Sequence, residues 1–212
     1  GCIVSSGTSL HGFMEELLLK HLYIAALGVI GSFFGALVGG SGLLILPGLI
    51  ALGFSVQKAV AILEVGALSM MFTGAFEINR ISKIDLNLAA PLTVLSGLGA
   101  FIGASVLIAT PPIFAKRLFG VSLIGLLLYM VIFENRFKGR KKLERDLFGL
   151  VLFFLNGLWS GFFSAGSHII GSFILMTYYG KTIIEASGLL KIEGIGSGIV
   201  SSLIFAVSGL VT

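Results

Sequence analysis

The chain has 212 residues, of which 56% are hydrophobic and 11% charged, with a mean hydropathy of +1.07. A water-soluble domain carries about 25% charged residues, so the composition excludes an ordinary soluble protein and describes an integral membrane protein. The net charge of +4 is too small to suggest nucleic acid, and the single cysteine, Cys2, excludes an intramolecular disulfide and a cysteine-based metal cluster.

Residues 1–21 form an N-terminal segment that is small and polar over its first twelve residues and lacks the pattern of a secretory signal. Because it begins with Gly1, the chain is expected to be a fragment at this end. The first membrane segment covers 22–53 and is apolar except at Gly39-Gly40-Ser41-Gly42. A continuous helix of that length would measure about 48 Å at about 1.5 Å per residue, against a hydrocarbon core of about 30 Å. The glycine cluster divides it into pieces of about 17 and 11 residues, short enough for re-entrant half-helices or the halves of a broken helix. Pro47 suits the first turn or so of the second piece.

Further segments are predicted at 58–76, 87–109 and 115–133. Glu77, Arg80, Lys83 and Asp85 read as a solvated loop between the first two. The stretch 134–146 carries six of the chain's fourteen Lys and Arg residues. It opens a basic loop, 134–147, expected to be cytoplasmic. A fifth segment, 148–179, is again too long and is interrupted near Gly166-Ser167-His168. A sixth covers 184–208. The fold class is therefore all-α, a polytopic integral membrane protein.

The two interrupted segments are copies. GSFFGALVGGSG at 31–42 matches GLWSGFFSAGSH at 157–168, with Gly31, Gly35, Gly40 and Ser41 falling on Gly157, Gly161, Gly166 and Ser167. GFSVQKA from Gly53 then matches GKTIIEA from Gly180, offset by one more residue. Two homologous repeats follow, 22–133 and 148–212, each with a glycine-broken first segment. If each broken segment dips in and returns, the repeats are inverted; if each crosses, they are parallel. The half lengths favour the hairpin and the inverted arrangement. The second repeat is shorter than the first, and two further spans are expected beyond Thr212.

These residues resemble the TauE/SafE family of sulfite exporter-like membrane proteins. The resemblance lies in GSFFGALVGGSGLLILPGLIALGFSVQKAVA at 31–61, in the basic loop into a Pro-containing helix at 74–92, and in the two spans at 97–112 and 114–132. The family's usual glycine triplet is Gly-Ser-Gly at 40–42 and Gly-Ser-His at 166–168. Where the family often has Thr-Ser, this chain has Ile62-Leu63 and Leu189-Leu190. The resemblance implies export or transport of a small anion, often a sulfur oxyanion or organosulfonate.

The residues support an anion site on their own terms. The first N–H groups of a helix lack partners and carry partial positive charge, which makes a helix start at membrane depth an anion site. Gly39, Gly40, Ser41 and Gly42, with Gly166, Ser167 and His168, are the candidate substrate cradles; close helix packing is the alternative reading. Gly31-x3-Gly35 and Gly157-x3-Gly161 are assigned to packing. His168 could donate to an anion or carry a proton, or make a structural hydrogen bond.

Glu64, Lys191 and Glu193 are candidates for a charge or proton relay, because charge at membrane depth is costly and marks function. Lys191 occupies the position of Glu64 in the second repeat, and the two are expected to pair; snorkelling toward a surface is the alternative. Asn156 is expected to satisfy broken backbone, and Trp159 to face lipid or pack.

No nucleophile–base constellation, metal-ligand spacing or phosphate loop is present, and His11, His21 and His168 are dispersed. An enzyme, a metal site and a cofactor are therefore not expected. The expected partners are the lipid bilayer and a small anionic substrate, with no nucleic acid and a homo-oligomer left open. The leading expectation is a secondary transporter or permease in the cell membrane. A non-transporting scaffold or trafficking partner, and an anion channel, are the alternatives.

Overall fold

The computed structural model describes residues 7–38, 40–133 and 147–210; Gly39 and the basic stretch 134–146 lie outside them. The described residues form eight helices: α1 (Gly7–Val38), α2 (Ser41–Ala51), α3 (Val56–Ile81), α4 (Leu86–Ala109), α5 (Pro112–Phe133), α6 (Leu147–Phe163), α7 (Ser167–Thr177) and α8 (Ile183–Val207). Among them α3, α4 and α8 are long and apolar enough to cross a membrane. The protein is an all-α, multi-pass membrane protein.

The helix ends follow local chemistry. Ser55 caps α3 by accepting from the Lys58 N–H, and Asp85 caps α4 by accepting from the Leu88 N–H. Thr182 and Glu185 form a reciprocal capping box at the start of α8. The half-helix α2 stops at Gly53, whose φ of +92° suits glycine alone; there Phe54 N–H reaches the Leu49 carbonyl and Gly53 N–H the Ile50 carbonyl. Gly180, with φ +61°, occupies the corresponding turn after α7. This turn is the physical content of the second repeated motif.

Three boundaries differ from the expectation. α1 starts at Gly7, well before residue 22, so the N-terminal segment continues into the first span. α3 runs on to Ile81 and carries Glu77 and Arg80 on its last turns, where they are exposed and 3.7 Å apart. A pair spaced i, i+3 can be satisfied on a solvated helix end as readily as in a loop. Pro47 lies in the interior of α2 rather than in its first turn, because that helix begins already at Ser41; the missing N–H leaves the Leu43 carbonyl without its usual donor.

Both broken segments are hairpins. On α1 and α2, a methyl group placed on Gly31 would meet Ile45, one on Gly35 would meet Ser41, and one on Gly48 would meet Leu27, so the two helices run antiparallel. On α6 and α7, Gly149 lies against Tyr179 and Gly171 against Asn156, giving the same sense. At about 1.5 Å per residue, an 11-residue half-helix reaches about half the depth of a bilayer core.

The remaining helices order themselves by close glycine contacts. α8 packs antiparallel to α3, with Lys191 against Gly74, Gly194 against Met71 and Gly198 against Leu68. α4 packs parallel to α6, with Gly157 against Ser96 and Gly161 against Ala100. The 82–85 turn, the start of α6 and the α7–α8 turn therefore share one face of the molecule, and Lys181 lies 3.8 Å from Asp85 there. Two apolar clusters fill the interior, one around Leu46, Leu107 and Phe205, the other around Leu92, Phe153 and Leu175. Ser96, Asn156, Ser167, Glu193 and Ser197 are buried between them, at the level of the breaks.

Candidate functional site

The two hairpin tips meet. A methyl group on Gly42 would lie 2.9 Å from Ala165 Cα and 2.9 Å from Leu63 Cδ2, and one on Gly40 would lie 3.5 Å from Ile169. Gly40 is the N-cap of α2, and Ser41 and Gly42 open that helix; Gly166 is the N-cap of α7, and Ser167 and His168 open that one. Two helix starts thus converge in the interior. Each begins with N–H groups that have no intrahelical acceptor.

The two cradles differ in detail. Ser41 borders a cavity of about 160 Å³ between α1, α2 and α3, in which Ser32 and Ser41 are the hydroxyl groups among mainly apolar walls such as Leu27, Leu49 and Leu63. Ser167 Oγ donates instead to the Ser164 carbonyl at 3.0 Å, within its own turn. His168 hydrogen-bonds the Leu190 carbonyl and lies within electrostatic range of Lys191. Its Nε2 is buried without a partner, 3.2 Å from where a Gly194 methyl would stand.

The two buried carboxyls lie near one another, and the buried lysine lies apart from Glu64. The Ser164 side chain hydrogen-bonds the Glu64 carboxyl, and Glu64 also faces Gly198 of α8. Ser96 Oγ donates to Glu193, which is within electrostatic range of Glu64. Lys191 is buried with its ammonium end against Gly74. Glu64 and Lys191 therefore do not pair, contrary to the expectation. Because α3 and α8 are antiparallel, equivalent residues off their crossing point separate; Gly74 lies ten residues from Glu64 along α3, about 15 Å at about 1.5 Å per residue.

The sequence pattern of the sulfite exporter TauE/SafE family matches residues 24–212. The chain belongs to that family. Its relatives include the "Probable membrane transporter protein ORF9" of Sinorhizobium sp, 24% identical over 93% of this chain and 77% of that one. A "Probable membrane transporter protein" of Haemophilus influenzae is 23% identical over 86% of this chain and 72% of its own length. No solved structure matches the chain.

Within this TauE/SafE chain, the second break also uses residues that the sequence did not name as part of the site. Its turn is Ser164-Ala165-Gly166, earlier than the predicted centre by two residues, with Ser164 at φ +58°. Trp159 packs on Phe163, the second of the two alternatives expected for it, and its Nε1 also donates to the Ala165 carbonyl at 3.0 Å. Asn156 does not satisfy the broken backbone: both atoms of its amide are buried without a partner, beside Gly171. The Gly-x3-Gly runs do pack, Gly31 and Gly35 on α2 and Gly157 and Gly161 on α4. A lone tryptophan less than two turns before a repeated glycine break was the available signal for Trp159.

Proposed function

We propose that this TauE/SafE chain is a secondary transporter that exports a small anion of the sulfur-oxyanion or organosulfonate class, bound where the two hairpin tips meet. The contact of Gly42 with the Ala165 turn carries the reading, because it brings two helix N-termini to one place. Gly40, Ser41, Gly42, Gly166, Ser167 and His168 are proposed as the cradle, with Gly39 beside them in sequence. Glu64, Lys191 and Glu193 are proposed to move charge or protons next to it.

The antiparallel packing of α3 on α8 supports reading the halves as inverted repeats, since these are the equivalent helices of the two copies. Hairpins entering from opposite faces around a shared site suit alternating access. The proposed location is the plasma membrane with 134–146 cytoplasmic, which the share of Lys and Arg on that face supports.

The test is a panel of sulfite, thiosulfate, methanesulfonate and chloride in proteoliposomes containing the chain. Saturable flux of a sulfur anion in wild type, reduced at least tenfold in Ser41→Leu and Ser167→Leu, is the expected result. Flux that does not saturate identifies a channel. Absence of both flux and binding leaves the scaffold reading.

A further inference from the structure

A carboxyl of the protein's own lies beside the proposed cradle. The partial positive charge at the start of α7 is strongest around its first turn, and the residue two before its N-cap, Ser164, hydrogen-bonds the Glu64 carboxyl. A second carboxyl, Glu193, is within electrostatic range of the first. The cations are poorly placed to balance them. Lys191 is directed at Gly74, and Lys116 and Arg117 of α5 are exposed.

His168, in the first turn of α7, offers a buried, unpartnered Nε2 near the same break. From α4 the nearby polar group is the Ser96 hydroxyl, which already donates to Glu193. From α2 the contact at the break is Gly42, which has no side chain. An incoming anion at this helix start would therefore lie beside the Glu64 carboxyl, and among the described residues no Lys or Arg forms an ion pair with that carboxyl.

We propose that Glu64 is a tethered competitor for the anion site, and that the transported anion binds together with a proton taken up by its carboxyl. Binding then reads as one event: the anion takes the α7 N-terminus and the Ser164 hydroxyl, while Glu64 accepts a proton from water and becomes neutral. Charge balances, because one anion and one proton arrive together. The unpartnered His168 Nε2, in the first turn of the same helix, lies beside Gly194 of α8. Transport is thereby coupled to protons, with anion and proton moving in the same direction. This inference rests on the anion-transport reading above.

The experiment uses the full chain in detergent with methanesulfonate, an anion that stays ionised throughout the working range and so contributes no proton of its own. Calorimetric titration in two buffers of different ionisation enthalpy counts protons taken up per anion bound. At pH values where Glu64 is ionised in the free protein, wild type is expected to take up about one, and there its Kd weakens about tenfold per pH unit as pH rises.

Glu64→Gln is expected to bind without proton uptake and with a Kd that is flat with pH. Binding in wild type with no proton uptake overturns the inference alone. Loss of uptake in Glu193→Gln with retention in Glu64→Gln overturns the assignment to Glu64. If Glu64→Gln does not fold, infrared difference spectra of wild type decide: a protonated-carboxyl band must appear on adding methanesulfonate, and its absence overturns the proposal. No binding of methanesulfonate, sulfite or thiosulfate at any pH overturns the transporter reading, and the inference with it.

Discussion

Trp159 shows what a single side chain does at a broken helix. The turn at Ser164-Ala165-Gly166 releases backbone groups in a region where lipid offers no partner, so each must be satisfied within the protein. The indole N–H reaches the Ala165 carbonyl at 3.0 Å, while its ring meets Phe163 edge-on with centroids 5.7 Å apart. Trp159→Phe keeps most of the ring contact and removes the donor. The carbonyl left behind should cost about 1–3 kcal/mol, read as a lower unfolding midpoint in detergent by circular dichroism. An unchanged midpoint would mean that another donor serves Ala165.

At this scale the sequence was legible where it repeated and opaque where it did not. Ser41, Gly42, Ser167 and His168 stood out because one copy pointed to the other. Trp159 and Ser164 have no counterpart in the first copy, and their roles exist only once α6 turns back into α7. The pairing of Glu64 with Lys191 failed for a related reason: sequence equivalence says nothing about the direction of the two helices.

Among the elements, α4 and α6 make the closest approach, through small residues on both sides. Gly157 and Gly161 lie on the backbone of Ser96 and Ala100, while Gly99 and Gly103 lie on the backbone around Phe154, Gly157 and Leu158. Helix association in lipid depends on such packing, because apolar surface gains nothing by leaving lipid tails. A methyl at Gly157 would enter the space of the Ser96 carbonyl, so α4 and α6 must separate. Overpacking of this kind costs about 1–3 kcal/mol, and Gly157→Ala should lower the detergent melting temperature. Gly120→Ala on α5, where a methyl meets nothing within 4 Å, should show no loss.

Helix identity, number and most boundaries followed from hydropathy and length alone. The glycines of α4 were not read as an interface because a Gly-x3-Gly run names no partner. The hairpin form of the broken segments was favoured by their lengths, but its proof lies in cross-helix contacts such as Gly31 with Ile45 and Gly149 with Tyr179.

For the molecule as a whole, helix directions define two faces. The first hairpin opens toward the face that carries Lys58 and the α4–α5 turn. The second opens toward the face that carries Lys83, Lys181 and the start of α6. In the proposed orientation 134–146 joins the second face, which would then gather nine of the fourteen Lys and Arg residues; four belong to the other face and Lys191 is buried. That bias supports the proposed orientation, with the second face in the cytoplasm.

Cys2 is the single cysteine, which allows a clean test. In a Cys2→Ser background, Lys58→Cys and Pro111→Cys should react with an impermeant maleimide on intact cells. Lys83→Cys and Lys181→Cys should react only after permeabilisation. The Lys58 and Lys83 sites flank one helix, α3, and must always differ. Lys83 and Lys181 flank two helices from different repeats and must always agree, because α3 and α8 are antiparallel. Opposite labelling of Lys83 and Lys181 would break that relation, and with it the convergence of the two hairpins on a shared interior site. Inverted labelling of all four positions would instead leave the fold intact and reverse only its orientation in the membrane.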